Sequence, residues 1–267
     1  MIDISYHPSI DAQLSLTAFG DRPDRWPLPT AETPHQLWLR AVGAGGQGRY
    51  GSAYADLATL LRDNRSGRLA SLAHSTKASF LRQLGWHRLA RGWDGRALAL
   101  AGDDPEATAD AVIGLAADAL GVGRLAAAAT LLGGADARTQ PPRLAVRRAW
   151  VAAELAMAGG DGATAVRNAE LAVELAGAGG SSRHRAKSDV VLAAALCSAG
   201  DLDRARTVGE AALELTGQLG LVPLRWAVAC LLVDLDRSGS PADAVLRDIR
   251  DECAHRVRCW GGDWFAS

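Results

Sequence analysis

The densest grouping of possible metal ligands is Cys253, His255 and Cys259 in "DECAHRVRCW", with Asp263 a short step beyond. Thiolates and an imidazole are zinc ligands, and a carboxylate can complete a tetrahedron. The Cys-x-His-x3-Cys spacing fits no established zinc framework, so no metal is expected there. Glycine-rich "GAGGQG" at 43–48 lacks the preceding strand and the following Lys-Ser/Thr of a phosphate-cradling loop. It reads as a helix followed by a turn. His74 and His87 fall in helical apolar segments, where a surface or hydrogen-bonded histidine is the ordinary outcome. Ser75, Ser79 and Ser181 have no identifiable activating base. The residue types thus predict no reaction, no catalytic residue and no cofactor. Cys197 and Cys230, within "LAAALCSAG" and "WAVACLLV", read as free buried thiols.

Composition bounds the remaining classes. A chain of 267 residues, 48% apolar and 22% charged, has ample material for a folded core. A formal charge of −1 argues against a dedicated nucleic-acid binder. Lysine occurs only at Lys77 and Lys187, and with the excess of Arg, Ala and Gly this points to a GC-rich bacterial genome. No run of about 18 uncharged apolar residues occurs, and "MIDISYHPSIDAQ" has neither a basic leader nor an apolar core, so a cytoplasmic protein without membrane contact is expected.

The elements that must position any site follow from a repeat. The pattern Gly, four residues, Ala recurs at Gly48/Ala53, Gly85/Ala90, Gly121/Ala126, Gly160/Ala165, Gly200/Ala205 and Gly239/Ala244, with glycines 36–40 residues apart by subtraction. A period of this size means stacked helical units. Each glycine separates two apolar helical runs, as in "VVLAAALCSAG" and "DLDRARTVGEAALELTG". It suits the turn because it accepts positive φ without steric cost. Asp161 and Asp201 then stand where a helix N-terminus wants an acceptor. Gly102, Gly177 and Gly217 supply a second stop and predict a second helix of about three turns. Small residues seven positions before the turn, Ala41, Ala78, Gly114, Ala153 and Ala193, and the later Ala97, Ala172 and Ala212, mark close helix approaches. The sixth unit has Leu232 and Asp251 at these places, as expected of a terminal repeat facing solvent.

The spacing of small residue, Gly, Ala and small residue across a helix-turn-helix resembles the tetratricopeptide repeat family over roughly residues 34–257, most closely at "GRYGSAYADLATLL" with Gly48, Tyr50 and Ala53. The family period is about 34 residues, shorter than here, and the large aromatic of its first helix and its closing proline are mostly missing. The resemblance implies an all-α, right-handed solenoid of about six antiparallel helix pairs over 34–258. Residues 1–33, with Pro8, Pro23, Pro27 and Pro29, are expected to be irregular, Trp26 and Leu28 docking on the first unit as a cap or in the groove. Residues 259–267, with Trp260, Trp264 and Phe265, form an aromatic tail expected to pack on the last helix.

In that family the first helix of each unit lines a concave groove that holds an extended segment or helix of a partner. Here the first helices of units two, four and five carry Arg68, Lys77, Arg82, Arg143, Arg147, Arg148, Arg183, Arg185 and Lys187 against Glu154 and Asp189. At the family's groove-facing offsets stand Trp38, Arg82, Arg147, Trp150, Lys187 and Trp226. Trp and Arg are the composition of binding hot spots, and Arg grips carboxylates with paired hydrogen bonds. The alternative is that the tryptophans fill core and the arginines form a solvated face. The resemblance thus implies a non-enzymatic interaction scaffold for an acidic or carboxylate-terminated partner segment. A ligand-sensing regulator of a transcription factor and a self-associating array are the alternatives.

Overall fold

The computed structural model describes residues 8–135, 141–235 and 241–265; the described residues form thirteen α-helices and no strand. They are α1 (Ile10–Phe19), α2 (Pro34–Gly46), α3 (Tyr50–Asp63), α4 (Arg68–Gln83), α5 (His87–Leu100), α6 (Pro105–Gly121), α7 (Leu125–Gly134), α8 (Pro142–Ala158), α9 (Gly162–Ala178), α10 (Ser182–Ser198), α11 (Leu202–Gln218), α12 (Val222–Leu235) and α13 (Pro241–Cys259). No helix among these residues is long and apolar enough to cross a membrane. Neighbours in sequence pack against each other throughout. In addition, α2, α4, α6, α8, α10 and α12 contact one another in that order.

Local chemistry sets the boundaries. Thr33 and Gln36 form a reciprocal capping box at α2, and Pro34, Pro105 and Pro142 open helices where a missing N–H costs nothing. Asp161 and Asp201 accept backbone N–H bonds from Thr164 and Arg204. The turns between paired helices use glycines at positive φ, among them Gly48, Gly85, Gly160 and Gly200.

The third unit departs from the expected register. Gly121 ends α6, and the turn is made by Gly123 at φ 76°. The buried alanine five residues on is Ala128, fully enclosed, whereas Ala126 is exposed. Two glycines separated by one residue offer two registers, and burial of Ala128 selects the second. The second helices are also longer than three turns: α5, α9 and α11 have 14, 17 and 17 residues. Gly177 and Gly217 lie inside the last turns of α9 and α11, while the chain reverses at Gly180 and Gly220. The expected packing positions Ala41, Ala78, Ala153 and Ala193 are fully buried. So is Leu232, which packs with Ala212 and Val228, so the sixth unit is not open to solvent at that point; Asp251 is exposed. Gly239 lies outside the described residues.

Residues 1–33 are not uniformly irregular, because the proline-free stretch between Pro8 and Pro23 forms α1. Ser9 caps it, and Leu14, Thr17 and Ala18 are buried against neighbouring helices. Leu28 packs on the cluster built by α2, α3 and α4, and the Trp26 ring covers Arg49. The tail does touch the last helices, with Trp264 4.2 Å from the Trp226 ring and its indole donating to the Ala254 carbonyl. It continues to the first two units: Gly51 N–H donates to the Trp260 carbonyl, and Phe265 N–H to that of Leu84.

Candidate functional site

Each first helix turns one stripe of side chains toward a common cavity of about 280 Å³. Helix α2 supplies Trp38 and Val42, α4 supplies Ser75, Ser79 and Arg82, α6 supplies Asp110 and Ala117, and α12 supplies Leu224. The stripes of α8 and α10 are cationic. Arg143 and Arg147 stand one turn apart on α8 with Trp150 beyond them, and Arg183 and Lys187 stand one turn apart on α10. Phe19, from the end of α1, closes part of the wall. Five of the six residues singled out by their offsets therefore meet in one place. Trp226 does not, since its ring packs with Trp264 and Leu224 takes its place at the wall.

The five cations are not equivalent. Arg82 is committed internally: its Nη1 donates to Asp94 Oδ2 and Asp118 Oδ1, both at 2.6 Å, and to the Gly114 carbonyl at 3.2 Å. Its side chain is 12% exposed and both aspartates are fully enclosed. Burial pushes the Asp94 carboxyl up to about 6, with Arg82 pulling the other way. Arg82 neutralises two buried carboxylates that would otherwise be untenable. Arg143 pairs with Glu106 at 2.7 Å and Asp110 at 3.0 Å, and Arg147 also pairs with Asp110.

Arg183 and Lys187 are different. Arg183 donates only to backbone carbonyls, Ala18 at 2.9 Å and Val42 at 3.3 Å, and no carboxylate among the described residues lies within ion-pair distance. Burial, then the charge of Arg143, lowers its pKa to about 10. Burial, then Arg82 and with Asp94 opposing, does the same to Arg147. The Lys187 ammonium sits 4.5 Å from the Trp150 ring centre, and no hydrogen-bond acceptor among the described residues reaches it. Burial depresses its pKa, Glu154 draws it back up, and Arg147, Arg82 and Arg183 depress it further. His184, buried and stacked on Trp150 with 5.4 Å between centroids, is held neutral well below its ordinary pKa by burial, then by Arg183, Arg143, Arg147 and Lys187. The Ser75 hydroxyl is buried at the cavity wall and unpaired.

The tryptophans are both buried and functional in a structural sense. Trp150 donates its indole N–H to Ser188 Oγ at 2.9 Å and Trp38 to Thr76 Oγ1 at 3.0 Å, which fixes both rings in the wall. Both rings are buried in the core and also border the cavity. Sequence offsets missed Arg143, Arg183, His184, Ser75 and Phe19. The available signal for the two arginines was their spacing, one turn before Arg147 and Lys187.

The Cys253, His255 and Cys259 grouping is divided by burial: Cys253 is buried, while Cys259 is exposed and 3.4 Å from His255 Nε2. Among the described residues no three His, Cys, Asp or Glu side chains are placed to hold a metal ion. No known protein-family model matches this chain, and no curated protein sequence matches it.

Proposed function

We propose that the chain is a tetratricopeptide-like solenoid of helix pairs that works as a binding module, with no reaction of its own, and that its cavity receives an acidic group of the ligand. One observation carries this reading: Arg183 and Lys187 stand one turn apart on the cavity wall beside Arg147, and neither has a carboxylate within ion-pair distance among the described residues. Desolvated positive charge is expensive unless paired, and like charges one turn apart on a helix repel. An incoming anion relieves both costs.

The test is calorimetric titration with small anions and with an acidic tripeptide bearing a free C-terminal carboxylate. Saturable binding is expected, weakened at least tenfold by Arg147→Gln, since one charge-assisted hydrogen bond contributes about 1.5–3 kcal/mol. Failure of the wild-type protein to bind any of these acids overturns the reading.

A further inference from the structure

Resting on that reading, we infer that the natural occupant is a free, compact, doubly charged oxyanion of the phosphate class, either inorganic phosphate or a small phosphate monoester, and not a peptide tail. Three observations support this choice. The first is charge: Arg82, Arg143 and Arg147 already meet carboxylates, whereas Arg183 and Lys187 have none within ion-pair distance among the described residues, so two unpaired cations match a dianion better than a single carboxylate. The second is direction. The donors that face the cavity come from three helices, Ser75 on α4, Arg147 on α8, and Arg183 with Lys187 on α10, and of these the buried Ser75 hydroxyl has no hydrogen-bond partner. Acceptors on a tetrahedral oxyanion point in several directions, whereas those of a carboxylate lie in one plane. The third is space, because about 280 Å³ bounded by Phe19 and Trp38 is just below the range of drug-sized sites and suits a compact ion. The tryptophan rings offer little stacking surface, since Trp150 is taken up by His184 and Lys187 and Trp38 is flanked by Phe19 and His35. Recognition therefore rests on charge.

The experiment titrates the full chain, at constant ionic strength in chloride, with orthophosphate, glycerol phosphate and the acidic tripeptide. One site is expected for a phosphate compound, with affinity rising between pH 5 and 7 for the monoester as its second proton, of pKa about 6, leaves. Lys187→Met and Arg183→Met should each raise the Kd at least tenfold. Ser75→Ala, a minimal change that keeps the fold testable if the others unfold, should raise it several-fold. Preference for orthophosphate or for the ester identifies the source. Binding of the tripeptide with no binding of either phosphate overturns this inference and leaves the proposed function standing. No binding of any of the three overturns both, and phosphate binding unchanged in a folded Ser75→Ala or Lys187→Met protein places the ion elsewhere and overturns the site.

Discussion

His74 is 7% exposed beside Trp93, with 5.3 Å between ring centroids, and its Nδ1 has no hydrogen-bond partner. Burial first, then the charges of Arg96 and Lys77, hold its pKa down to about 4. Above the ordinary value near 6.5 the ring is neutral in both folded and unfolded states and contributes nothing. As pH falls from 6.5 toward 4, the unfolded chain takes a proton that the folded ring refuses, so stability is lost at about 1.4 kcal/mol per pH unit. Asp94 acts with the opposite sign: raised to about 6, it is protonated in the fold before the unfolded carboxyl is, and favours the folded state as pH falls through 6. Comparing wild type with His74→Phe cancels that contribution because Asp94 is common to both. The Tm difference between variant and wild type should therefore grow in favour of the variant from pH 7.5 to pH 5 by about 2 kcal/mol, or roughly 4–8 °C. An unchanged difference would show that His74 titrates normally. Much of the residue-level site was legible, because Arg147, Trp150 and Lys187 follow from offsets within single helices. The commitment of Arg82 was not. Its partners Asp94 and Asp118 sit on α5 and α6, and which cation a distant acid meets depends on how two helices are shifted along each other, which periodicity does not encode.

At the scale of elements, glycines serve two purposes that the sequence writes identically. Gly160 holds φ 75° with nothing within 4 Å of an added Cβ, so only its backbone conformation requires glycine. Gly114 lies inside α6, where an added Cβ would strike the Asp94 carboxylate that pairs with Arg82. In an ordinary helix interior, replacing glycine by alanine stabilises by about 0.5–1 kcal/mol. Here Gly114→Ala is expected to destabilise by about 2–3 kcal/mol, because a packed neighbour must shift and a buried ion pair with it. Gly160→Ala should cost only about 1 kcal/mol, the left-handed backbone penalty. Denaturant midpoints of the two variants test this, and a Gly114→Ala protein more stable than wild type would show that Asp94 moves freely. The same ambiguity explains the shifted third unit, where Gly121 and Gly123 fit the repeat equally well until the burial of Ala128 decides. It also explains the helix ends placed too early at Gly177 and Gly217, glycines that the helix simply passes through. Helix pairing was readable from the repeat, whereas α1 was hidden by prolines that flank it without entering it.

At the scale of the whole molecule, the connection between α1 and α2 and the segment following α13 meet on the α2–α3 turn. The Arg49 guanidinium lies 4.1 Å from the ring centres of both Trp26 and Trp260, one from each terminal segment. Around it Gln47 donates to the carbonyls of Pro23 and Arg25, Gly48 approaches Pro223 and Val257, and Gly51 donates to Trp260. In an array whose units touch only their neighbours, loosening one end leaves the other unaffected. Contacts that join the ends remove that independence. Arg49→Ala deletes two cation–π contacts, each about 0.5–2 kcal/mol depending on desolvation, and is expected to lower global stability by about 1–3 kcal/mol. The more telling measurement is amide hydrogen exchange, which reports local opening. Protection should fall together at Gly51, on the first unit, and along the last turns of α13, while the middle helices α8 and α9 keep theirs. If exchange quickens only at Gly51 and α13 is unchanged, the ends lie against each other without being coupled. A shared loss of protection would show that the contacts at Arg49 also brace the row of first helices, and with it the separation of the cationic stripes on α8 and α10.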